Sequence, residues 1–268
     1  MGGVAMYAGC AALLLMLLGS TPLTGTILIG GAVLVAVGLV DDAYKSRGKE
    51  FPVWPRVIAY AFVSTIPLWF GIDIAGIRIG GDRMWMLPDL GKAAATMVWV
   101  FALINMMNFI DGVDGLAAGI AFLSALTLLV VALLKGQPST AIAAAVIAGA
   151  ALGFLAHNFY PAKIFMGDAG STFLGYALAV IAVDGTLKSA AALSVFVPLL
   201  ALGVPIMDTA IVFTRRLLAG KGLHCADKMH THHSLLHWGL TQRQTVSFLY
   251  LVGAVFSLLS ILLLLTVG

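Results

Sequence analysis

The chain has 268 residues, 61% of them hydrophobic and only 10% charged, with a formal net charge of +3. A mean hydropathy of +1.04 exceeds what a water-soluble surface tolerates, so the composition excludes a soluble globular protein and points to many membrane crossings. The small net charge is ordinary for an inner-membrane protein and gives no reason to expect a nucleic-acid partner.

A bilayer core needs roughly 20 mostly apolar residues per helix. Nine stretches qualify: 4–20, 23–40, 53–71, 92–110, 115–134, 139–157, 172–184, 189–212 and 246–267, of which 172–184 is the shortest. All are continuously apolar, without the period-two alternation of an outer-membrane barrel. The expectation is an all-α polytopic membrane protein of about nine transmembrane helices, a single integral-membrane domain over 1–268 with no internal repeat or linker. Ahead of the first stretch, Met1-Gly2-Gly3 offers neither a basic n-region nor a cleavage site, which argues against a removable signal peptide.

The second stretch ends in Asp41-Asp42, followed by Lys45, Arg47 and Lys49. Adjacent carboxylates beside cations attract Mg²⁺, orient a phosphate or act as a base; a solvated loop start with local ion pairs is the plainer alternative. After the third stretch, Ile72 to Arg83 alternates apolar and polar residues around Gly80-Gly81, the pattern of a short extracytoplasmic β-hairpin. The fourth runs into Asn105-Met-Met-Asn108-Phe-Ile-Asp111-Gly-Val-Asp114-Gly-Leu. Asn105, Asn108 and Asp111 share one helix side, and Asp111 and Asp114 flank a glycine turn that lets a ligand approach the backbone closely. Two amides and two acids at the end of an apolar helix are costly unless they bind something, although a helix cap packed by asparagines would also use them.

Between the sixth and seventh stretches lies Asn158-Phe-Tyr-Pro-Ala-Lys163-Ile-Phe165-Met-Gly-Asp168-Ala-Gly-Ser171-Thr172. Glycines and hydroxyls at a helix start present N–H groups to phosphate, Asp168 can hold Mg²⁺, and Phe165 offers a flat face to a base. A Walker A loop is excluded by the absent Gly-Lys-Ser/Thr ending, and Asp168 as a plain N-cap stays open. Asp208 in Pro205-Ile-Met-Asp208 is either a counter-ion for Arg215 and Arg216 or part of the site. A loop over 214–245 carries Arg216 and His230-Thr-His232-His233. Without an HExxH helix or cysteine partners the histidines read better as pyrophosphate donors than as a zinc site.

Laid across a bilayer, all four polar clusters fall on one face. That face holds ten basic residues (Lys45, Arg47, Lys49, Arg56, Lys163, Arg215, Arg216, Lys221, Lys228 and Arg243) against five opposite (Arg78, Arg83, Lys92, Lys135 and Lys188), which makes it cytoplasmic. Cys10 then lies in a span and Cys225 in a cytoplasmic loop, so no disulfide is expected.

These four motifs, in this order and over nearly the whole chain, resemble the polyprenyl-phosphate N-acetylhexosamine-1-phosphate transferases, a superfamily (glycosyltransferase family 4) that initiates peptidoglycan, teichoic acid and O-antigen lipid intermediates. The 230–246 segment looks like the branch that transfers GlcNAc-1-phosphate; the peptidoglycan branch usually has three consecutive histidines, which Thr231 interrupts. The resemblance implies that undecaprenyl phosphate attacks the β-phosphorus of UDP-GlcNAc in the bacterial cytoplasmic membrane, releasing UMP. It implies Mg²⁺, with Mn²⁺ as a substitute, on Asp168 and the amide oxygen of Asn108. It further implies catalytic roles for Asp41, Asp42, Asp111 and Asp114, with Asp111, Asp114, Asn158 and Phe165 at the uridine. Lys45, Asn105, Arg216, His230, His232 and His233 would contact substrate, and a homodimer is allowed. Members usually carry a further N-terminal helix and a basic loop ending in Pro-x-x-Gly-Gly; Met1-Gly2-Gly3 matches the end of that loop. The alternatives are a phospho-MurNAc-pentapeptide transferase, another UDP-N-acetylhexosamine donor, or, in other classes, a secondary transporter or a non-catalytic scaffold. A transporter would place its acids near mid-membrane on broken helices, and a scaffold would not need these acids, glycines and histidines.

Overall fold

The computed structural model describes residues 2–49, 51–78, 84–187, 195–218 and 230–267. The elements in chain order are α1 (Gly2–Leu18), α2 (Pro22–Ser46), α3 (Val53–Val63), α4 (Ile66–Trp69), β1 (Gly76–Arg78), β2 (Met84–Met86), α5 (Asp89–Ile110), α6 (Leu116–Leu134), α7 (Pro138–Asn158), α8 (Gly167–Ala182), α9 (Phe196–Ala201), α10 (Gly203–Leu218), α11 (Thr231–His237) and α12 (Gln242–Val267). β1 pairs antiparallel with β2, Ile77 opposite Trp85. The Gly80-Gly81 turn, Arg83, Lys188, the start of the 189–212 stretch, and Lys221, Cys225 and Lys228 lie outside the described residues.

Among the described residues, six helices are long and apolar enough to cross a membrane: α2, α5, α6, α7, α8 with its continuation to Leu187, and α12. The protein is therefore a multi-pass membrane protein, and six of the nine expected stretches form helices of that length among the described residues. The other three stretches are short or interrupted for local reasons. α1 has 17 residues. The 53–71 stretch breaks where Ser64 Oγ and Thr65 Oγ1 donate back to the carbonyls of Tyr60 and Phe62, both at 2.7 Å, and where Pro67 has no N–H to give. α9 and α10 part at Leu202, because Pro205 cannot donate to the carbonyl of Ala201.

α8 is the axis of the bundle. It packs on α1, α2, α5, α6 and α7, and 94% of its membrane window is buried. Close approach rests on small residues: a Cβ on Gly30 of α2 would overlap the Tyr176 ring, and one on Gly38 would overlap the backbone of Asp168 and Ala169. Tyr176 Oη donates to the carbonyl of Thr26 at 3.0 Å, so the large ring is both packed and satisfied. α2 begins on Thr21, whose Oγ1 accepts from the N–H of Thr24 at 3.2 Å, with Pro22 in the first turn. These contacts bring the end of α2 to the start of α8.

Candidate active site

The end of α2 and the start of α8 converge on a cluster of carboxylates. Lys45 Nζ lies 2.8 Å from Asp41 Oδ2, one helical turn away, and 2.8 Å from Asp168 Oδ2. Arg56 of α3 stands behind it, its Nη1 at 3.6 Å from the same Asp41 oxygen and 3.7 Å from the same Asp168 oxygen. Asp41 is 1% exposed, and neither its oxygens nor Asp168 Oδ2 makes a directed hydrogen bond. The contacts are ionic, two acids held together by shared cations. Asp42 takes a different role: its Oδ1 accepts the N–H of Asp168 at 3.0 Å. Gly167 permits this with φ 71°, since a Cβ there would overlap the Asp42 carboxylate.

Asn108 at the end of α5 joins the cluster by donating from Nδ2 to Ser171 Oγ at 3.0 Å, one turn along α8 from Asp168. Asn105 Nδ2 instead donates within its own helix, to the carbonyl of Phe101 at 2.7 Å. Past Asn108 the chain turns through Asp111 to Asp114 and enters α6 at Gly115, φ 81°. Asn158 ties this turn to the segment before α8: its Oδ1 accepts from Gly115 N at 2.9 Å and its Nδ2 donates to the carbonyl of Ile164 at 2.9 Å. Asp114 Oδ2 accepts from Ala162 N at 3.0 Å. Asn158 and Asp114 thus hold two loops at fixed separation, and Phe165 projects from the second with 68% of its surface exposed. Burial, then the charges of Asp168 and Asp42, push the Asp111 carboxyl up to about 7, against a smaller opposing effect of Lys45.

The histidines reach the same turn from the far end of the chain. His230 packs against Phe109, ring centres 5.3 Å apart, and stacks on His232 at 5.9 Å. His232 is buried, and a Cβ on Gly112 would come 2.6 Å from its Nε2. Burial first, then neighbouring His233, lowers its pKa to about 4, so it is neutral at physiological pH. His233 lies 4.3 Å from the His232 ring and is partly exposed. Arg216 is half-buried near the end of α10. Two residues acquire a place that the sequence did not reveal: Arg56, counted there only as a basic loop residue, and Asp208, whose partner was open. Both sit on helices whose rotation relative to α2 and α11 is invisible in sequence.

The arrangement is therefore one membrane end at which three carboxylates, an amide, a lysine and an arginine surround the glycine-rich start of α8. The carboxylates and the amide are hard oxygen donors, of the kind that suits Mg²⁺ better than a soft metal, and Asp41 Oδ1 is a buried carboxylate oxygen without a hydrogen bond. Among the described residues, however, no three acidic or histidine side chains form a metal cluster. A helix start with small residues beside two fixed cations suits phosphate.

Comparison with known proteins shows the chain's family. The description "Glycosyl transferase family 4" matches residues 24–186, which contain the carboxylate cluster and the Asn/Asp turn. The chain is 36% identical, over 98% of its own length and 72% of the relative's, to a Bacillus subtilis (strain 168) protein named probable undecaprenyl-phosphate N-acetylglucosaminyl 1-phosphate transferase. It is 34% identical, over 94% and 68%, to a Mycolicibacterium smegmatis decaprenyl-phosphate N-acetylglucosaminephosphotransferase. It is 29% identical, over 97% and 71%, to the Escherichia coli (strain K12) undecaprenyl-phosphate alpha-N-acetylglucosaminyl 1-phosphate transferase. The chain belongs to glycosyl transferase family 4.

Proposed function

We propose that the protein transfers GlcNAc-1-phosphate from UDP-GlcNAc to undecaprenyl phosphate, giving undecaprenyl-diphospho-GlcNAc and UMP. An oxygen of the lipid phosphate forms a bond to the β-phosphorus, and the bridge to the α-phosphate breaks to leave UMP. The observation that carries this reading is the convergence of Asp41, Asp42, Lys45, Arg56 and Asp168 at one end of the bundle, in a chain whose similar proteins are named for that reaction. Only at such an end does a membrane lipid's phosphate meet a water-soluble sugar nucleotide. We place that end on the cytoplasmic face of the bacterial membrane, with α1, the α3–α4 pair and the α9–α10 pair completing a nine-crossing bundle.

Phosphoryl transfer depends chiefly on positioning and on neutralising charge. Asp168 and Asn108 would hold Mg²⁺ through their side-chain oxygens. When bound, the ion would supply positive charge to neutralise the diphosphate and the departing UMP. Asp41 or Asp42 accepts the remaining proton of the lipid phosphate and orients the attacking oxygen. Lys45 and Arg56, which neutralise Asp41 and Asp168 in their present positions, are the cations that turn to the diphosphate as it enters. The turn 111–115 and the loop carrying Phe165 form two walls for uridine, held by Asn158 and Asp114. His230, His233 and Arg216 steady phosphate and sugar; buried, neutral His232 supports the turn at Gly112.

UMP release from UDP-GlcNAc by purified, detergent-solubilised protein, with undecaprenyl phosphate and Mg²⁺ each present or omitted, tests the proposal. Release requiring both is expected, and Asp42→Asn should lower it by at least ~10²-fold, in the range of a lost proton-transfer group. Unchanged release in the variant, or accumulation of substrate in sealed vesicles without UMP, would overturn it.

A further inference from the structure

Asp208 lies outside the carboxylate cluster, on α10, and is 2% exposed. A buried carboxylate must find donors, and both of its oxygens do: Oδ2 lies 2.7 Å from His230 Nδ1, and Oδ1 accepts the N–H of Thr231 at 2.6 Å. Thr231 is the first residue of α11, so Asp208 holds the start of that helix as well as the imidazole preceding it. A second tie follows seven residues along α10, on the same side of the helix: Arg215 Nη1 donates to Ser234 Oγ at 3.0 Å. His230 therefore rests between a fixed acceptor below and the Phe109 ring beside it.

An ionised carboxylate only accepts, so the bond at His230 Nδ1 fixes the proton on that nitrogen. Nε2 is then the nitrogen available to a substrate, in a ring whose orientation is no longer free. From these contacts we infer that Asp208 is a positioning residue for the phosphoryl-transfer site, acting through His230 by setting its tautomer and ring orientation. The inference deepens the transferase reading and rests on it for the kinetic arm of the test, but the tautomer is decided without any turnover.

The experiment uses the full chain in detergent as wild type, Asp208→Asn, His230→Gln and the double variant. Nitrogen-15 spectra of histidine-labelled protein report the tautomer, the His230 signal being the one lost in His230→Gln. UMP release gives kcat and KM. The expected result is an Nδ1–H tautomer for His230 in the wild type and its loss in Asp208→Asn. In turnover, Asp208→Asn should lower kcat about 10- to 100-fold, the usual range for a residue that orients another, with KM for UDP-GlcNAc changed less than about 3-fold. The double variant should be no slower than the worse single one, because one residue acts through the other. An Nε2–H tautomer in the wild type, or losses that multiply in the double variant, would overturn the inference. If Asp208→Asn does not fold, the wild-type spectrum decides alone. If the wild type releases no UMP, the transferase reading fails while the spectrum still tests what Asp208 does to His230.

Discussion

Gly167 illustrates how closely a single backbone position governs the site. Its φ of 71° and the missing Cβ let the Asp42 carboxylate reach the N–H of Asp168. Gly167→Ala must both adopt a left-handed conformation, at about 1–2 kcal/mol, and push Asp42 away. We expect a measurable fall in melting temperature and at least ~10-fold slower UMP release, read by calorimetry and a steady-state assay. Asp111 supplies a pH signature. Its carboxyl is raised to about 7 from an ordinary 3.8, so the folded state keeps a proton that the unfolded chain loses near pH 4. Stability therefore declines as pH rises from about 4 to about 7 and levels beyond it. Asp111→Asn removes that dependence, and its melting temperature in metal-free detergent should gain on the wild type's as pH rises through this window. A constant difference across the window would show that Asp111 titrates normally.

Among the elements, α8 lies at the centre of the site and is the hardest to read from sequence. Its apolar stretch begins at Thr172, because Gly167, Asp168, Gly170 and Ser171 lower the local hydropathy. The helix nonetheless starts at Gly167 and continues to Leu187 as a π-helical turn. Small and polar residues weaken a hydropathy signal calibrated for lipid, but they are what a helix surrounded by protein uses for close contact. The motifs, by contrast, were legible, since carboxylates and amides at the ends of apolar runs stand out wherever the fold puts them. Their partners were not: nothing in the spacing told that Asn158 would join Gly115 to Ile164, or that Arg56 would face Asp41, because such pairs depend on how helices are rotated against one another. Gly38 tests the α2–α8 contact on which the site depends. A methyl there overlaps the backbone of Asp168 and Ala169, so Gly38→Ala should destabilise by about 1–3 kcal/mol, as for other overpacked contacts. It should also impair turnover by separating Asp41 and Asp42 from Asp168. Wild-type turnover together with a wild-type melting curve would mean the helices part at little cost.

Over the molecule as a whole, six long apolar helices, the interruptions at Ser64–Pro67 and Leu202–Pro205, and two strands, all among the described residues, are arranged so that the chemistry-bearing ends collect together. The proposed Mg²⁺ dependence is tested at this scale. Chelation should abolish UMP release while leaving the helical content intact. Restoring Mg²⁺ should raise the melting temperature as expected for a ligand that binds only the folded state, about 2.7 kcal/mol at a hundredfold excess over Kd. Asp168→Asn should eliminate most of that rise; an undiminished rise would place the ion elsewhere. The enclosure of α8 has one more consequence, for the way the protein is made. A segment opening with an acid, glycines and hydroxyls partitions poorly into hydrocarbon by itself, yet the five helices that pack along Gly167–Ala182, α1, α2, α5, α6 and α7, precede it in the chain. By the time α8 leaves the ribosome these five companions have already been synthesised, and it can enter the bilayer in their company rather than face the lipid alone.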